Sequence, residues 1–142
     1  MPLAGALALL APLGAWFAAS ALGLRQAPPN LWAAAWLLAV APWLEELIFR
    51  AWIQQGLAHR LQRQNVRGSA HLANGLASAA FALCHLPLAG PAAIWWLVPS
   101  LALGEVWRRQ NRLSVCVALH AWFNACLVAV TWATTPTSAA AA

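Results

Sequence analysis

The sequence predicts an all-α fold: a polytopic membrane helix bundle of about five transmembrane helices. Three observations carry this. Of the 142 residues, 63% are hydrophobic and 8% are charged, where a soluble domain carries about 25% charged residues. The apolar residues fall into five long runs, most of them near the length of about 20 residues that crosses a bilayer. Six of the eight arginines lie in just two of the short intervals between runs. A small soluble domain leaves much of its chain exposed, so this composition excludes one. It also excludes disorder, which needs low hydrophobicity and high charge.

The first run is Leu3–Leu24, with Pro12 as a kink candidate and Pro28-Pro29 as a breaker beyond Arg25. No basic stretch precedes it, and its apolar length exceeds a signal-peptide core, so it reads as a retained span. Asn30 suits an N-cap, because its side chain accepts from the first unpaired N–H groups. The second helix then runs from Leu31 to about Arg60, roughly 45 Å at 1.5 Å per residue, with Pro42 expected to bend it. The third is about Ala70–Leu88, closed by Pro87 and Gly90-Pro91. The fourth is Ala92–Trp107, with Pro99 inside, and the fifth is Leu113–Trp132. The tail, Thr134–Ala142, reads as frayed. No repeat or linker interrupts the chain. Residues 1–142 read as a single membrane-embedded domain with a motif-bearing core at about 31–132.

The eight arginines and three glutamates give a net charge of +5. Arg60, Arg63 and Arg67 lie between spans two and three, and Arg108, Arg109 and Arg112 between spans four and five. Five spans put both groups on one side, which the positive-inside rule makes the cytoplasm. The N-terminus is then inside and the C-terminus outside. Trp32, Trp95 and Trp132 fall near the outer boundary and Trp107 near the inner one, the depth that aromatic side chains favour. The basic residues are topology signals, and no nucleic-acid partner is expected. Cys84, Cys116 and Cys126 are odd in number, lie in apolar surroundings and have no zinc-finger spacing.

The informative residues are the polar ones inside the apolar runs. Glu45, Glu46 and Arg50 lie deep in the second span, where an ionisable group costs at least about 2.5–3.5 kcal/mol. Glu46 and Arg50, four apart, share a helical face and can pair. Glu45 lies about 100° around and has no partner in its own segment. Phe81 and His85 share a face of span three, and His120 and Asn124 a face of span five. Polar side chains so aligned should point into the bundle. A carboxylate with an imidazole can deprotonate a water, and His and Asn donors can stabilise an oxyanion. No serine or cysteine makes a convincing nucleophile: Cys84 points away from the His85 face, and Ser100 and Ser114 lack an evident base. The same residues also fit an ion pair that fixes helix packing, a proton site in a small proton-coupled transporter, or a non-catalytic binding protein. Counted from the flanking arginines, Glu45 lies about 22 Å along its helix, His85 about 26 Å and His120 about 12 Å, depths that one site has to reconcile.

The ordered set EExxxR, FxxxH and HxxxN, here Glu45-Glu46 to Arg50, Phe81 to His85 and His120 to Asn124, resembles the CPBP group. These are the CAAX-protease and bacteriocin-processing membrane proteases, also called the Abi family. The match spans about Trp43 to Asn124. Members often have eight spans, so this chain resembles the compact ones. The resemblance implies an intramembrane endopeptidase of the glutamate type. Glu45 with His85 would activate the water, His120 and Asn124 would stabilise the oxyanion, and Glu46, Arg50 and Phe81 would support them. No cofactor is expected. The zinc alternative, which matches a metalloprotease label used for the family, would take Glu45, His85 and His120 as ligands. The implied partners are a membrane-anchored protein or peptide substrate and the lipid bilayer, in a bacterial inner membrane. Some compact relatives accompany C-terminal sorting signals, and others are linked to bacteriocin immunity.

Overall fold

The computed structural model describes residues 3–21, 23 and 30–134. These form five helices: α1 (Leu3–Ala21), α2 (Leu31–Arg63), α3 (Ser69–Cys84), α4 (Leu86–Gln110) and α5 (Leu113–Thr134). No strand occurs among the described residues. All but α3 are long and apolar enough to cross a membrane. The α3 helix has 16 residues and spans about 24 Å. The end expected for span one at Leu24, the Pro28-Pro29 breaker and the tail beyond Thr134 lie outside the described residues.

Asn30 caps α2 as its residue type suggests. Its Oδ1 accepts from the Ala33 N–H at 2.9 Å. The helix is not regular, however. It widens to π-helix over Trp36–Val40 and again over Leu47–Gln54, on either side of the α-helical turn Ala41–Glu46. Pro42 follows the first wide segment. In π register Ala41 N–H bonds the Trp36 carbonyl, so the next carbonyl, Leu37, would look to residue 42. Proline has no N–H to give, and Leu37 takes a donor from α5 instead, as described below. Wide turns of this kind recur at functional sites.

Two spans depart from expectation. Span three stops at Cys84 rather than Leu88, with His85 as its cap and the single turn Leu86–Ala89 after it. Gly90, inside α4, takes φ +56°, a conformation that glycine adopts without Cβ strain. Span four opens as a 3₁₀ helix, Gly90–Trp96, before the regular segment Leu97–Gln110. Pro99 falls in the first turn of that segment, where its missing N–H has little to lose.

The bundle holds a polar cluster within its small apolar core and carries large apolar side chains outside. Glu46, Arg50, Gln54, Asn74, Ser78, Ser100, His120 and Asn124 are buried, while Trp16, Trp32, Trp52 and Leu88 are exposed. Large exposed apolar surfaces of this kind mark membrane contact. The α1 helix lies along α5 through small side chains: Ala15 and Ala19 pack with Cys126 and Leu127. Small residues let helices approach closely where lipid offers no hydrophobic drive. Trp122 Nε1–H also donates to the Ala8 carbonyl at 2.9 Å.

Glu45, His85 and His120 meet in one cluster, as described below, although their counts from the flanking arginines differ. The last segment of α2, Gln55–Arg63, has no buried residue and packs against α3.

Candidate active site

The wide π segment starting at Leu47 follows directly on Glu45 and Glu46, and the two carboxylates diverge. Glu46 is fully buried and Glu45 is 28% exposed at its side chain. Glu46 Oε2 accepts from Arg50 Nε at 2.9 Å, the ion pair that the four-residue spacing predicts. Its other oxygen accepts from His120 Nδ1 at 2.8 Å. The opposite ring nitrogen, His120 Nε2, lies 3.5 Å from Glu45 Oε2. That is long for a charge-assisted hydrogen bond, which closes to about 2.7–2.9 Å. Glu45 also interacts electrostatically with His85 and Glu46.

Phe81 gathers the two histidines. Its ring lies 4.4 Å from the His85 ring and 6.0 Å from the His120 ring, centroid to centroid, and meets Phe49 edge-on at 5.1 Å. His85 Nδ1–H donates to the Phe81 carbonyl at 2.8 Å, one turn back. That fixes the ring and turns Nε2 away from this bond, so that a neutral ring would accept there. The sequence-predicted residues Glu45, Glu46, Arg50, Phe81, His85 and His120 therefore come together. Asn124 shares the buried face of His120, but its Nδ2 donates at 3.0 Å to the Leu37 carbonyl, the one that Pro42 leaves unserved. Its second N–H is not used by that bond. Cys84 is exposed and apart from the cluster, as its position predicts.

Sequence reasoning did not pick out the scaffold beneath the site. Arg50 Nη2 donates to Ser100 Oγ at 2.9 Å and Nη1 to Gln54 Oε1 at 3.4 Å. Gln54 Nε2 donates to the Gly104 carbonyl at 2.9 Å, and Asn74 Nδ2 to the Leu101 carbonyl at 3.1 Å. Ser78 donates to Asn74 Oδ1 at 3.3 Å. Gly104 is required by closeness: a Cβ there would collide with the Asn74 amide and crowd Gln54. A signal existed in the helical spacing. Glu46, Arg50 and Gln54 are four apart in turn, as are Asn74 with Ser78 and Ser100 with Gly104.

For the zinc alternative of Glu45, His85 and His120, no three His, Cys, Asp or Glu side chains among the described residues stand close enough together to hold a metal ion. His120 Nδ1 bonds Glu46 and His85 Nδ1 bonds the Phe81 carbonyl, which leaves both Nε2 atoms for other partners. The third acid, Glu105, is remote in role: it pairs with Arg108 and Arg109 at the end of α4.

An apolar cavity of about 390 Å³ touches the cluster at His120 and Phe81. It is lined mainly by α1, α4 and α5, and its polar lining side chains are Ser100, His120 and Asn124. Pockets that bind small groups have this size and this mixture of apolar wall and few polar atoms.

No curated protein and no solved structure matches the chain. A family model described as type II CAAX prenyl endopeptidase Rce1-like matches residues 27–126, more than half of it. With four apolar helices long enough to span, the match identifies an integral membrane protein. The matched segment contains the two glutamates, Arg50, both histidines of the cluster and Asn124, and on that match the chain belongs to the Rce1-like family of CAAX endopeptidases.

Proposed function

We propose that the protein is an intramembrane endopeptidase that hydrolyses a peptide bond of a membrane-anchored substrate with a water activated by Glu45. The observation that carries this is the division of labour between adjacent acids. Glu46 is consumed by Arg50 and His120, whereas Glu45 is partly exposed and stops 3.5 Å short of His120 Nε2. That leaves a carboxylate and two imidazoles around a gap where a water can be held.

In this reading the water lies between Glu45 and His85 Nε2, both acceptors for its hydrogens. Glu45 takes one proton as the oxygen attacks the carbonyl carbon. The carbonyl π electrons move to oxygen. His120 acts as the doubly protonated imidazolium, with Nδ1–H on Glu46 and Nε2–H on the oxyanion, and the second N–H of Asn124 adds to it. Collapse breaks the C–N bond, and the proton on Glu45 passes to the leaving nitrogen. One water is consumed and one acid and one amine result. Arg50 neutralises Glu46 and so sets the orientation of His120. The chemistry uses no metal and no cofactor.

The whole chain acts as one membrane-embedded protease domain. The arginine-bearing ends of α2 and α4 face the cytoplasm of a bacterial inner membrane, with the N-terminus inside and the C-terminus outside. Substrates carrying C-terminal sorting signals fit this setting. The family match favours proteolysis over an immunity protein or a transporter. The decisive experiment is mass spectrometry of candidate membrane-anchored proteins incubated with wild-type or Glu45→Gln protein. A new terminus dependent on Glu45 is expected. Equal cleavage by both proteins rejects Glu45 as the base, and no cleavage by either rejects the activity.

A further inference from the structure

The α1 helix, Leu3–Ala21, lies outside the family-matched segment, yet it forms one wall of the cavity that ends at His120 and Asn124. It is held along α5, and it meets α4 at two places. Trp96 packs with the Ala15 and Ala19 cluster, and Trp107 with the cluster that takes Leu3 and Leu7. Between these points α1 and α4 stand apart, and the cavity fills the gap. Leu10 and Val98, which line it from opposite sides, are also 58% and 63% exposed. The cavity therefore opens sideways, toward the acyl chains, as well as inward to the polar cluster.

Gly14 lies on the α1 wall. A glycine inside a helix costs roughly 0.5–1 kcal/mol relative to alanine, and no neighbour demands it here. A Cβ at Gly14 would meet nothing within 4 Å. The missing side chain instead adds to the open volume beside the site.

We infer that α1 is a selectivity wall, and that Gly14 sets the size of the apolar substrate side chain admitted next to the scissile bond. The occupant is a bulky aliphatic or aromatic residue of the membrane-anchored peptide, entering between α1 and α4. An apolar lining with its polar atoms confined to the inner end suits a side chain, not a charged or hydrogen-bonding group. This inference rests on the proteolytic reading of the site.

The test uses detergent-solubilised full-length protein and a set of single-span peptides that differ at one residue beside the cleavage site, Gly, Ala, Leu or Phe. Gly14→Phe should lower the ratio of kcat/KM for the Leu peptide over the Gly peptide by about tenfold or more, the scale on which apolar pockets discriminate. Gly14→Ala should lower it less. Leu13→Phe, on the exposed face of α1, should leave the ratio as it is. A ratio unmoved by both Gly14 variants overturns the inference, and so does one that moves equally in Leu13→Phe. A second readout needs no turnover. Photo-leucine in place of the varied residue should crosslink to α1 near Gly14 or to Trp96 in the wild-type protein. Crosslinks mapped elsewhere overturn the inference even if cleavage is robust. Crosslinking in the cavity with no cleavage of any peptide would leave the wall assigned and reject the protease reading instead.

Discussion

His120 touches both members of the Glu45-Glu46 pair, each with a different ring nitrogen: Nδ1 at 2.8 Å from Glu46 and Nε2 at 3.5 Å from Glu45. One imidazole thus separates a buried carboxylate held by two partners from a partly exposed one. The two glutamates should respond differently to the same substitution.

Glu45→Gln should reduce cleavage by about 10²–10⁴-fold, the usual contribution of a general base. It should change stability by no more than about 0.5 kcal/mol, because the side chain is partly exposed and closes no short hydrogen bond. Glu46→Gln leaves Arg50 buried without a counter-charge and should cost about 3–5 kcal/mol. Initial-rate assays and thermal unfolding in detergent separate the two. Equal melting temperatures for both variants would contradict the division of roles.

Arg50→Met alone should be as damaging as Glu46→Gln, since it strands Glu46 in the same dry interior. The double variant Glu46→Gln, Arg50→Met should be less destabilised than the two singles added together, by about 1–3 kcal/mol of coupling. A double-mutant cycle with no coupling would mean that the pair is not a unit.

Asn124→Ala removes the donor that serves the Leu37 carbonyl, and should cost about 1–3 kcal/mol for the orphaned acceptor. Pro42→Ala restores an N–H in the position to reach that carbonyl. In the Asn124→Ala background it should recover part of the loss in stability without recovering activity. Absence of any recovery would show that the wide turn at Trp36–Val40 does not depend on this exchange.

Gly104→Ala should sharply lower the yield of folded protein, because the added methyl meets the Asn74 amide. Asn74→Ala in the same chain makes room and should restore folding in part. Size-exclusion profiles in detergent report the outcome, and a monodisperse Gly104→Ala single variant would contradict it.

Activity should survive a strong chelator, and the purified protein should hold no stoichiometric zinc. Loss of cleavage on chelation, restored by zinc, would reverse the metal-free mechanism.

Much of this architecture is legible from local pattern. Apolar runs locate all five helices, Asn30 announces its cap, and four-residue spacings place Glu46 with Arg50, Phe81 with His85 and His120 with Asn124. These relations live within one helix, where geometry follows from count alone. What escapes is tertiary. Gln54, Asn74, Ser100 and Gly104 are ordinary residues until three helices meet. Their bonds to one another, and to backbone carbonyls across the interface, leave no trace in any single segment. The π turns escape for a different reason: residues that form them are the ones that form α-helix, and at Trp36–Val40 the wider register goes with Pro42 and the cross-helix bond to Leu37.

One feature of α2 has a consequence for how the protein fails. The Leu37 carbonyl, Glu46, Arg50 and Gln54 ride on one continuous helix, and they grip α4 and α5 at four points. The rod behaves like a camshaft. A small rotation about its long axis would disengage every one of those grips together. Heat or detergent should therefore abolish competence in a single concerted step, with no half-working species along the way.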